Sequence, residues 1–238
     1  NRASDPNMLT APQFSAERLE SVLARIESAA RRAGRDPATV TLLAVSKQHP
    51  AEAVRAAAAA GQRHFGENYP QEALAKIESL RDLPLTWHFI GQLQSNKTRD
   101  VAQAFQWVHT LDRAKIAERL SAQRPHHAGP LDVLLQVRLA EEDGKGGVEA
   151  AQVPALAQIV AGLPRLRLRG LMSIPPPQTD EGLQREPFRP LRELLMDLNR
   201  QGHSLDTLSM GMSADLEAAI AEGATIVRVG TAVFGPRD

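Results

Sequence analysis

The sequence predicts a closed (β/α)8 barrel, and three observations support this prediction. Eight short runs of apolar and β-branched residues recur along the chain, as expected of buried strands. Stretches with apolar residues at helical spacing separate these runs, and such an alternation indicates parallel strands joined by crossovers. The length of 238 residues is close to the roughly 250 residues that such a barrel needs. A doubly wound open sheet would show the same alternation, and periodicity alone does not distinguish the two folds.

The elements follow in order from local patterns. An extra N-terminal helix is predicted at residues 15–33, where apolar residues recur every three or four positions before Gly34 ends it. The first strand, residues 39–45, reads TVTLLAV and is apolar and β-branched. The other strands are predicted at residues 63–65, 85–90, 106–110, 131–139, 166–172, 207–210 and 225–229. The helices between the strands are predicted at residues 51–60, 70–80, 96–104, 113–123, 148–161, 187–201 and 214–222. Gly235 and Pro236 follow the last strand too closely for a long final helix.

Composition and charge narrow the class of protein. Lys plus Arg and Asp plus Glu both number 28, so the formal net charge is zero and a nucleic-acid partner is not expected. The absence of cysteine excludes disulfides and thiolate chemistry and fits a reducing compartment. No apolar run is long enough for a membrane span, and the start lacks a signal core, so a cytoplasmic location is expected. Residues 1–13 are predicted to form a polar tail, and residues 14–238 one barrel domain.

Lys47 is the first candidate for chemistry because it directly follows the first predicted strand. The active sites of such barrels lie at the C-terminal ends of the strands. Partial burial there would lower the pKa of the ammonium group, and a neutral amine can form a Schiff base with a carbonyl compound. A solvated lysine, or one paired with Glu67, is the alternative interpretation.

Two segments are candidates for binding a phosphate group. Residues 209–213 lead from a strand into the predicted helix 214–222, and Ser213 is a good N-cap for that helix. The unpaired N–H groups and positive dipole end of a helix N-terminus favour an anion. Gly230 and Thr231 follow the last strand, where barrels often bind phosphate. The alternative is that Ser213 is only a cap and Gly230 only a turn.

Arg228 is expected to point into the barrel, because Val227 and Val229 on either side must point to the opposite face. A buried arginine needs a partner, so a structural salt bridge is the alternative role. The seven histidines form no i, i+4 pair on a helix, and no metal site is expected. The 141–147 loop lacks the spacing of a phosphate-binding P-loop, so a mobile surface loop is predicted there.

Five strings of the sequence together resemble one known family. They are LLAVSKQHP (42–50), HFGENYPQEALAKIESL (64–80), WHFIGQLQSNK (87–97), GLMSIPP (170–176) and LSMGMSADLEAAIAEGATIVRVGTAVFG (208–235). In this order and at this spacing they resemble the pyridoxal phosphate homeostasis protein family, also called the YggS/PROSC family. The resemblance extends over nearly the whole chain, from about residue 14 to residue 235.

The resemblance implies a fold-type III pyridoxal 5′-phosphate (PLP) barrel, similar to the N-terminal domain of alanine racemases. Lys47 matches the family's Schiff-base lysine, and Arg228 matches an arginine that faces the pyridine nitrogen and weakens the ring as an electron sink. Cofactor-binding positions are thereby implied for Lys47, Asn68, His88, Met172, Ser173, Ser209, Met210, Ser213, Arg228, Gly230 and Thr231. Arg138 stands where the family commonly has Asn, and Lys145 lies in a loop where the family often has a Lys.

The function implied is PLP homeostasis, in which the protein buffers this reactive aldehyde and passes it to apo-enzymes. A PLP-dependent enzyme, such as a low-activity amino-acid racemase, is the alternative. Alanine racemases add a C-terminal domain with a catalytic tyrosine, whereas the single tyrosine here is Tyr69. A monomeric binding protein with no dedicated catalytic residue is therefore expected. A phosphate-binding barrel without PLP is a more remote third possibility.

Overall fold

Parallel strands and helices alternate through residues 14–139 and 146–237, the part of the chain that the computed structural model describes. The predicted tail and Lys145 lie outside these residues. The strands of the described part are β1 (Thr41–Val45), β2 (His64–Glu67), β3 (Thr86–Phe89), β4 (Trp107–Leu111), β5 (Leu131–Arg138), β6 (Val148–Glu149), β7 (Leu166–Met172), β8 (Thr207–Met212) and β9 (Ile226–Val229). The α-helices are α1 (Ala16–Arg32), α2 (Ala51–Ala59), α3 (Pro70–Ser79), α4 (Thr98–Ala104), α5 (Ala114–Gln123), α6 (Val153–Ala161), α7 (Glu181–Arg185), α8 (Phe188–Arg200), α9 (Leu216–Ala221) and α10 (Thr231–Phe234).

The sheet closes on itself. The ring of parallel strands runs β1–β2–β3–β4–β5–β7–β8–β9, and β9 returns to β1, where Leu43 lies opposite Arg228. The pairing of β4 with β5 joins the two halves of the ring. A doubly wound sheet would leave two free edges, whereas closure removes them. The predicted (β/α)8 barrel is therefore confirmed, and the open sheet is excluded.

Alternation along the strands separates an outer layer from the barrel interior. Val227 and Val229 belong to the hydrophobic core that the strands form with the surrounding helices. Arg228, between them, points the other way and bonds Ser209 of the neighbouring strand, as the sequence predicts. The interior is thus partly polar, and its polar residues come from different strands.

The predicted helix 148–161 is wrong at its start. Val148–Glu149 form the short strand β6, which pairs with the end of β5 outside the closed ring. The helix α6 begins only at Val153, with Pro154 in its first turn. Proline lacks the N–H that a helix interior requires, so it favours the first turn over the interior.

The extra N-terminal helix is present as α1, which packs against α9 and α10. Leu19, Val22 and Ile26 form its buried stripe. The bidentate pairing of Arg25 with Glu217 ties α1 to α9, with N–O distances of 2.8 and 2.9 Å. Among the described residues, no helix combines the length and the apolar character that crossing a membrane requires.

Candidate functional site

A cavity of about 240 Å³ opens at the C-terminal ends of the strands. Residues that follow or end β2, β3, β4, β5 and β7 contribute to its wall. Its polar lining includes Asn68, Gln92, Thr110, Gln136, Arg138 and Ser173. The C-terminal mouth is where barrels of this type bind ligands, so this cavity belongs to the candidate site, although Lys47 and the described residues after β9 are not among its lining residues.

Two buried polar atoms of the cavity wall have hydrogen-bonding capacity that the described residues do not satisfy. The Oδ1 atom of Asn68 and the Oγ atom of Ser173 are buried, and neither has a hydrogen-bond partner among the described residues. Buried polar atoms are almost always satisfied, because leaving one unpaired costs about 1–3 kcal/mol. The wall is therefore prepared for a ligand with both hydrogen-bond donors and acceptors.

Lys47 lies just beyond β1 and is partly buried. Burial, and secondarily the positive charge of Arg237, lower the pKa of its ammonium group. Both effects disfavour the charged form, so a larger fraction of the amine is neutral and nucleophilic than in a solvated lysine.

A buried ion cluster holds the backbone on both sides of Lys47. The Nζ atom of Lys76 donates to the carbonyl oxygen of Ser46 at 2.7 Å and lies 2.8 Å from Glu72. Glu72 in turn accepts a hydrogen bond from the N–H of Gln48 at 2.5 Å. Gln48 has a φ of 63°, a left-handed value that is unusual for a residue with a side chain. The cluster thereby fixes the turn that presents Lys47 to the mouth.

Glu67 is the third charged residue of this cluster, beside Lys76 and Glu72. It is fully buried and forms an ion pair with the Nζ atom of Lys76 at 2.5 Å. Burial raises the pKa of Glu67 to about 7, although Lys76 acts in the opposite direction. The alternative interpretation, in which Lys47 pairs with Glu67, is wrong because Lys76 occupies that position.

The segment after β8 differs in one detail from the sequence prediction. Asp215 is the N-cap residue of α9, and its carboxylate accepts from the N–H of Met212 at 2.7 Å. Ser213 therefore does not cap the helix; it lies in the preceding turn, where its carbonyl accepts from Arg25 at 2.8 Å. The predicted cap was misplaced because the turn closed by the hydrogen bonds between Met212 and Asp215 delays the start of the helix by two residues, and the side chain of Asp215 makes no capping bond of its own.

Gly230 lies against the end of β1. A Cβ atom at this position would lie 3.4 Å from the carbonyl oxygen of Val45 and 2.9 Å from Nη2 of Arg237. The missing side chain therefore leaves room for the Arg237 guanidinium beside the turn. Thr231 is exposed and begins α10, whose first N–H groups have no acceptor within the helix. This turn meets the end of β1, so it lies close in space to the Lys47 strand end.

Sequence reasoning missed Arg237. Its Nη2 atom lies beside the Gly230 turn, its positive charge is near enough to lower the pKa of Lys47, and its Nε atom is buried without a hydrogen-bond partner among the described residues. A cation here suits a bound anion. Because Arg237 stands outside any strand or helix of the chain, no periodicity marked it.

Arg228 is buried in the barrel interior, and burial lowers its pKa to about 10. Its Nη1 atom donates to the hydroxyl of Ser209 at 2.7 Å, and its Nη2 atom donates to the carbonyl of Ser173 at 2.9 Å. Within residues 14–139 and 146–237 no carboxylate forms a salt bridge with it. The structural salt bridge considered as its alternative role is therefore not formed in this part of the chain.

The remaining candidates lie deeper. His88 is fully buried inside the barrel, where it bonds His64 and His109. Met172 is fully buried at the end of β7. The side chain of Met210 packs in the hydrophobic core between strands and helices, so it faces away from the barrel interior.

The fold and this site define a class of protein, a PLP-type barrel related to alanine racemases. Residues 18–238 match the family described as "Alanine racemase, N-terminal domain". Alanine racemase from Corynebacterium glutamicum superposes with a TM-score of 0.66 at 15% identity, over 94% of this chain and 62% of that one. At this identity the likeness shows the fold alone.

Closer relatives define the family more narrowly. The pyridoxal phosphate homeostasis protein of Pseudomonas aeruginosa is 62% identical over 94% of this chain and 96% of the relative. The corresponding Escherichia coli K12 protein is 51% identical over 94% and 97%. PipY of Synechococcus elongatus, a COG0325 family member solved with PLP bound, superposes with a TM-score of 0.80 at 43% identity, over 92% of this chain and 99% of that one. The chain belongs to the pyridoxal phosphate homeostasis protein family.

Proposed function

We propose that this protein binds PLP at the barrel mouth through the amine of Lys47 and serves in PLP homeostasis as a buffer and carrier. The observation that best supports this function is the partly buried Lys47, whose pKa is lowered and which lies beside the glycine turn and Arg237. The similarity to the homeostasis proteins and to PLP-bound PipY supports the same assignment.

The residues of the site fit the chemistry of this cofactor. When bound, PLP supplies an aldehyde carbon that a neutral amine attacks with loss of water, and a phosphate that needs a cationic or N–H-rich cradle. Lys47 supplies the amine, and the Gly230 turn with Arg237 supplies the cradle. Asn68 and Ser173 contribute the unpaired polar atoms of the wall.

Two further segments, residues 209–213 and 228–231, supply the other proposed cofactor contacts. In this proposal Arg228 faces the ring of the cofactor as a hydrogen-bond donor, and Ser213 and Thr231 lie at the phosphate end. The deeper candidates Met172 and His88 would support the pocket from beneath.

Borohydride reduction of the PLP-loaded protein followed by peptide mapping tests the site. We expect a pyridoxyl adduct on Lys47 and loss of the visible absorption band in Lys47→Ala. Lys145→Ala is the matched control and should keep both the band and the adduct. An adduct mainly on Lys145 would move the covalent site to the loop and overturn the proposal.

We propose no dedicated catalytic reaction for this site. Arg228 keeps its protons at ordinary pH. It can therefore donate a hydrogen bond to a ring nitrogen but does not transfer a proton to it. The single tyrosine, Tyr69, is 49% exposed. We expect no exchange of the α-hydrogen of common amino acids with solvent deuterium, and measurable exchange would instead support a racemase.

We also infer that the protein works as a cytoplasmic monomer that hands PLP to apo-enzymes. The cavity opens at the surface of the barrel, which suits reversible loading. Light scattering of the loaded protein tests the oligomeric state, and fractionation of cells tests the location. Direct transfer predicts that an apo-enzyme is activated faster by loaded protein than by the same concentration of free PLP.

A further inference from the structure

A chain of three histidines runs through the barrel interior towards Arg228. His64 Nδ1 lies 2.9 Å from His88 Nε2, and His88 Nδ1 lies 2.8 Å from His109 Nε2. His109 Nδ1 lies 2.8 Å from the hydroxyl of Ser209, which accepts from Arg228 at 2.7 Å. One continuous line of hydrogen bonds therefore crosses from β2 to β9.

Arg228 determines which group donates and which accepts in each hydrogen bond of this line. A guanidinium has only donors, so the Ser209 hydroxyl must accept from it and is free to donate its single proton to Nδ1 of His109. A neutral His109 then carries its proton on Nε2 and donates to His88. By the same rule His88 donates from Nε2 to His64, and all three rings share one tautomer.

Burial keeps the inner rings neutral. His88 and His109 are both completely buried, and burial is the main reason why their pKa values lie well below the ordinary value. Neighbouring rings add to this effect for His88, and the positive charge of Arg228 adds to it for His109. A protonated ring would donate from both nitrogens and break one junction of the line.

The outer end of the line reaches a second cavity. This cavity is lined by residues at the starts of strands, such as Thr41, Trp107 and Thr207, so it lies at the base of the barrel. His64 lines it and is partly buried. The protons of the line therefore point away from the mouth and towards the base.

We propose that His109 is a positioning residue, which orients the Ser209 hydroxyl and thereby aims the Arg228 guanidinium at the ring of the bound cofactor. The role of His88 and His64 is to fix the tautomer of His109. This inference rests on the proposed function, because the Arg228 guanidinium can face a cofactor ring only if PLP binds at this site. A polar line in a barrel interior is costly unless every junction is satisfied, and here each described junction is.

The first test needs neither a variant nor the cofactor. Long-range proton–nitrogen correlation spectra of the ¹⁵N-histidine-labelled apoprotein at neutral pH report which ring nitrogen carries the proton. We expect Nε2 to be protonated and Nδ1 unprotonated in His64, His88 and His109. A protonated Nδ1 on His109 would overturn the proposal.

The second test is a double-mutant cycle on PLP affinity and on the absorption maximum of the loaded protein. His109→Leu and Ser209→Ala are each expected to weaken binding about tenfold, or ~1.4 kcal/mol, and to shift the maximum. The double variant should be no weaker than the poorer single variant, because both changes break the same junction. His109→Asn keeps an acceptor near the position of Nδ1 and should recover part of the loss.

Two outcomes would contradict the positioning role. Additive losses in the cycle, or a His109→Leu variant with unchanged affinity and absorption, would leave these histidines as structural residues only. The circular dichroism of each variant shows whether it folds. If the wild type binds PLP on Lys47 and the tautomer is reversed, only the positioning role fails; if the wild type does not bind PLP, the proposed function fails.

Discussion

At the scale of single residues, the chemistry of the site depends on the pKa of the Lys47 amine. Lys47 has a lowered pKa mainly because of its burial and secondarily because of Arg237. The sequence identified Lys47 because it follows a clear strand. It did not identify Arg237, because the approach of residue 237 to residue 47 depends on closure of the barrel.

Replacing Arg237 with Ala should raise the pKa of Lys47, because one of its two depressing influences is removed. The pKa should stay below the ordinary value, since burial remains. The pH dependence of the rate at which an acylating reagent labels Lys47, read by peptide mapping, measures the change. Arg237→Lys retains the charge and should behave like the wild type; an unshifted profile in Arg237→Ala would contradict the electrostatic effect assigned to Arg237.

Glu67 gives the protein a pH-dependent stability. Its pKa is about 7 in the folded protein, against an ordinary value of 4.5 for a glutamate carboxyl in water. The folded state therefore holds more protons between these values, and the free energy of unfolding falls as the pH rises through this window. Glu67→Gln cannot ionise and should show a flatter pH dependence in urea unfolding.

The exposed carboxyl of Glu118 on α5 provides the control for this experiment. Glu118→Gln should retain the slope of the wild type. Equal slopes in the wild type and Glu67→Gln would show that the Glu67 carboxyl is ionised throughout the window.

At the scale of elements, the end of β8 depends on a glycine. Gly211 has a φ of 101°, and a Cβ atom added there would lie 2.6 Å from Cβ of Ala219. Gly61 has a similar φ of 108°, but an added Cβ would meet nothing within 4 Å. The two glycines therefore separate the cost of the backbone conformation from the cost of overlap.

Gly61→Ala is expected to lower the free energy of unfolding by about 1–2 kcal/mol through its positive φ alone. Gly211→Ala should cost a further ~1–3 kcal/mol because the new methyl group overlaps α9. Chemical unfolding of both variants measures the difference. Gly211→Ala should also weaken PLP binding, which Gly61→Ala should leave unchanged; equal losses of stability would contradict the overlap.

Element boundaries show where sequence reasoning is weakest. The strands of the ring were found because buried parallel strands form short apolar runs between helices. The starts of α6 and α9 were placed too early, and α7 was missed. The local causes are Pro154 in the first turn of α6, the turn from Met212 to Asp215 before α9, and the side-chain cap Asp180 of α7. These local features do not change the spacing of apolar residues, so periodicity alone does not reveal them.

At the scale of the whole molecule, ligand binding should appear as added stability. A ligand that binds only the folded state at 100 times its Kd adds about 2.7 kcal/mol. We expect PLP at this concentration to raise the free energy of unfolding of the wild type by this amount. Lys47→Ala, compared at the same concentration, should gain much less, and an equal gain would show that binding does not depend on the amine.

The alternation of apolar runs and helical stretches determined the class of fold, because hydrophobic burial imposes one period on strands and another on helices. Short motifs likewise determined the position of Lys47 at a strand end and the inward direction of Arg228, since both depend on neighbours in the chain. Only the tertiary structure decided that the sheet closes, that Lys76 takes the place beside Glu67, and that Arg237 lies near enough to Lys47 to lower its pKa. It also decided that three histidines from β2, β3 and β4 form one line towards Ser209. These contacts join residues of different strands, helices and loops, so they form only once those elements have packed together.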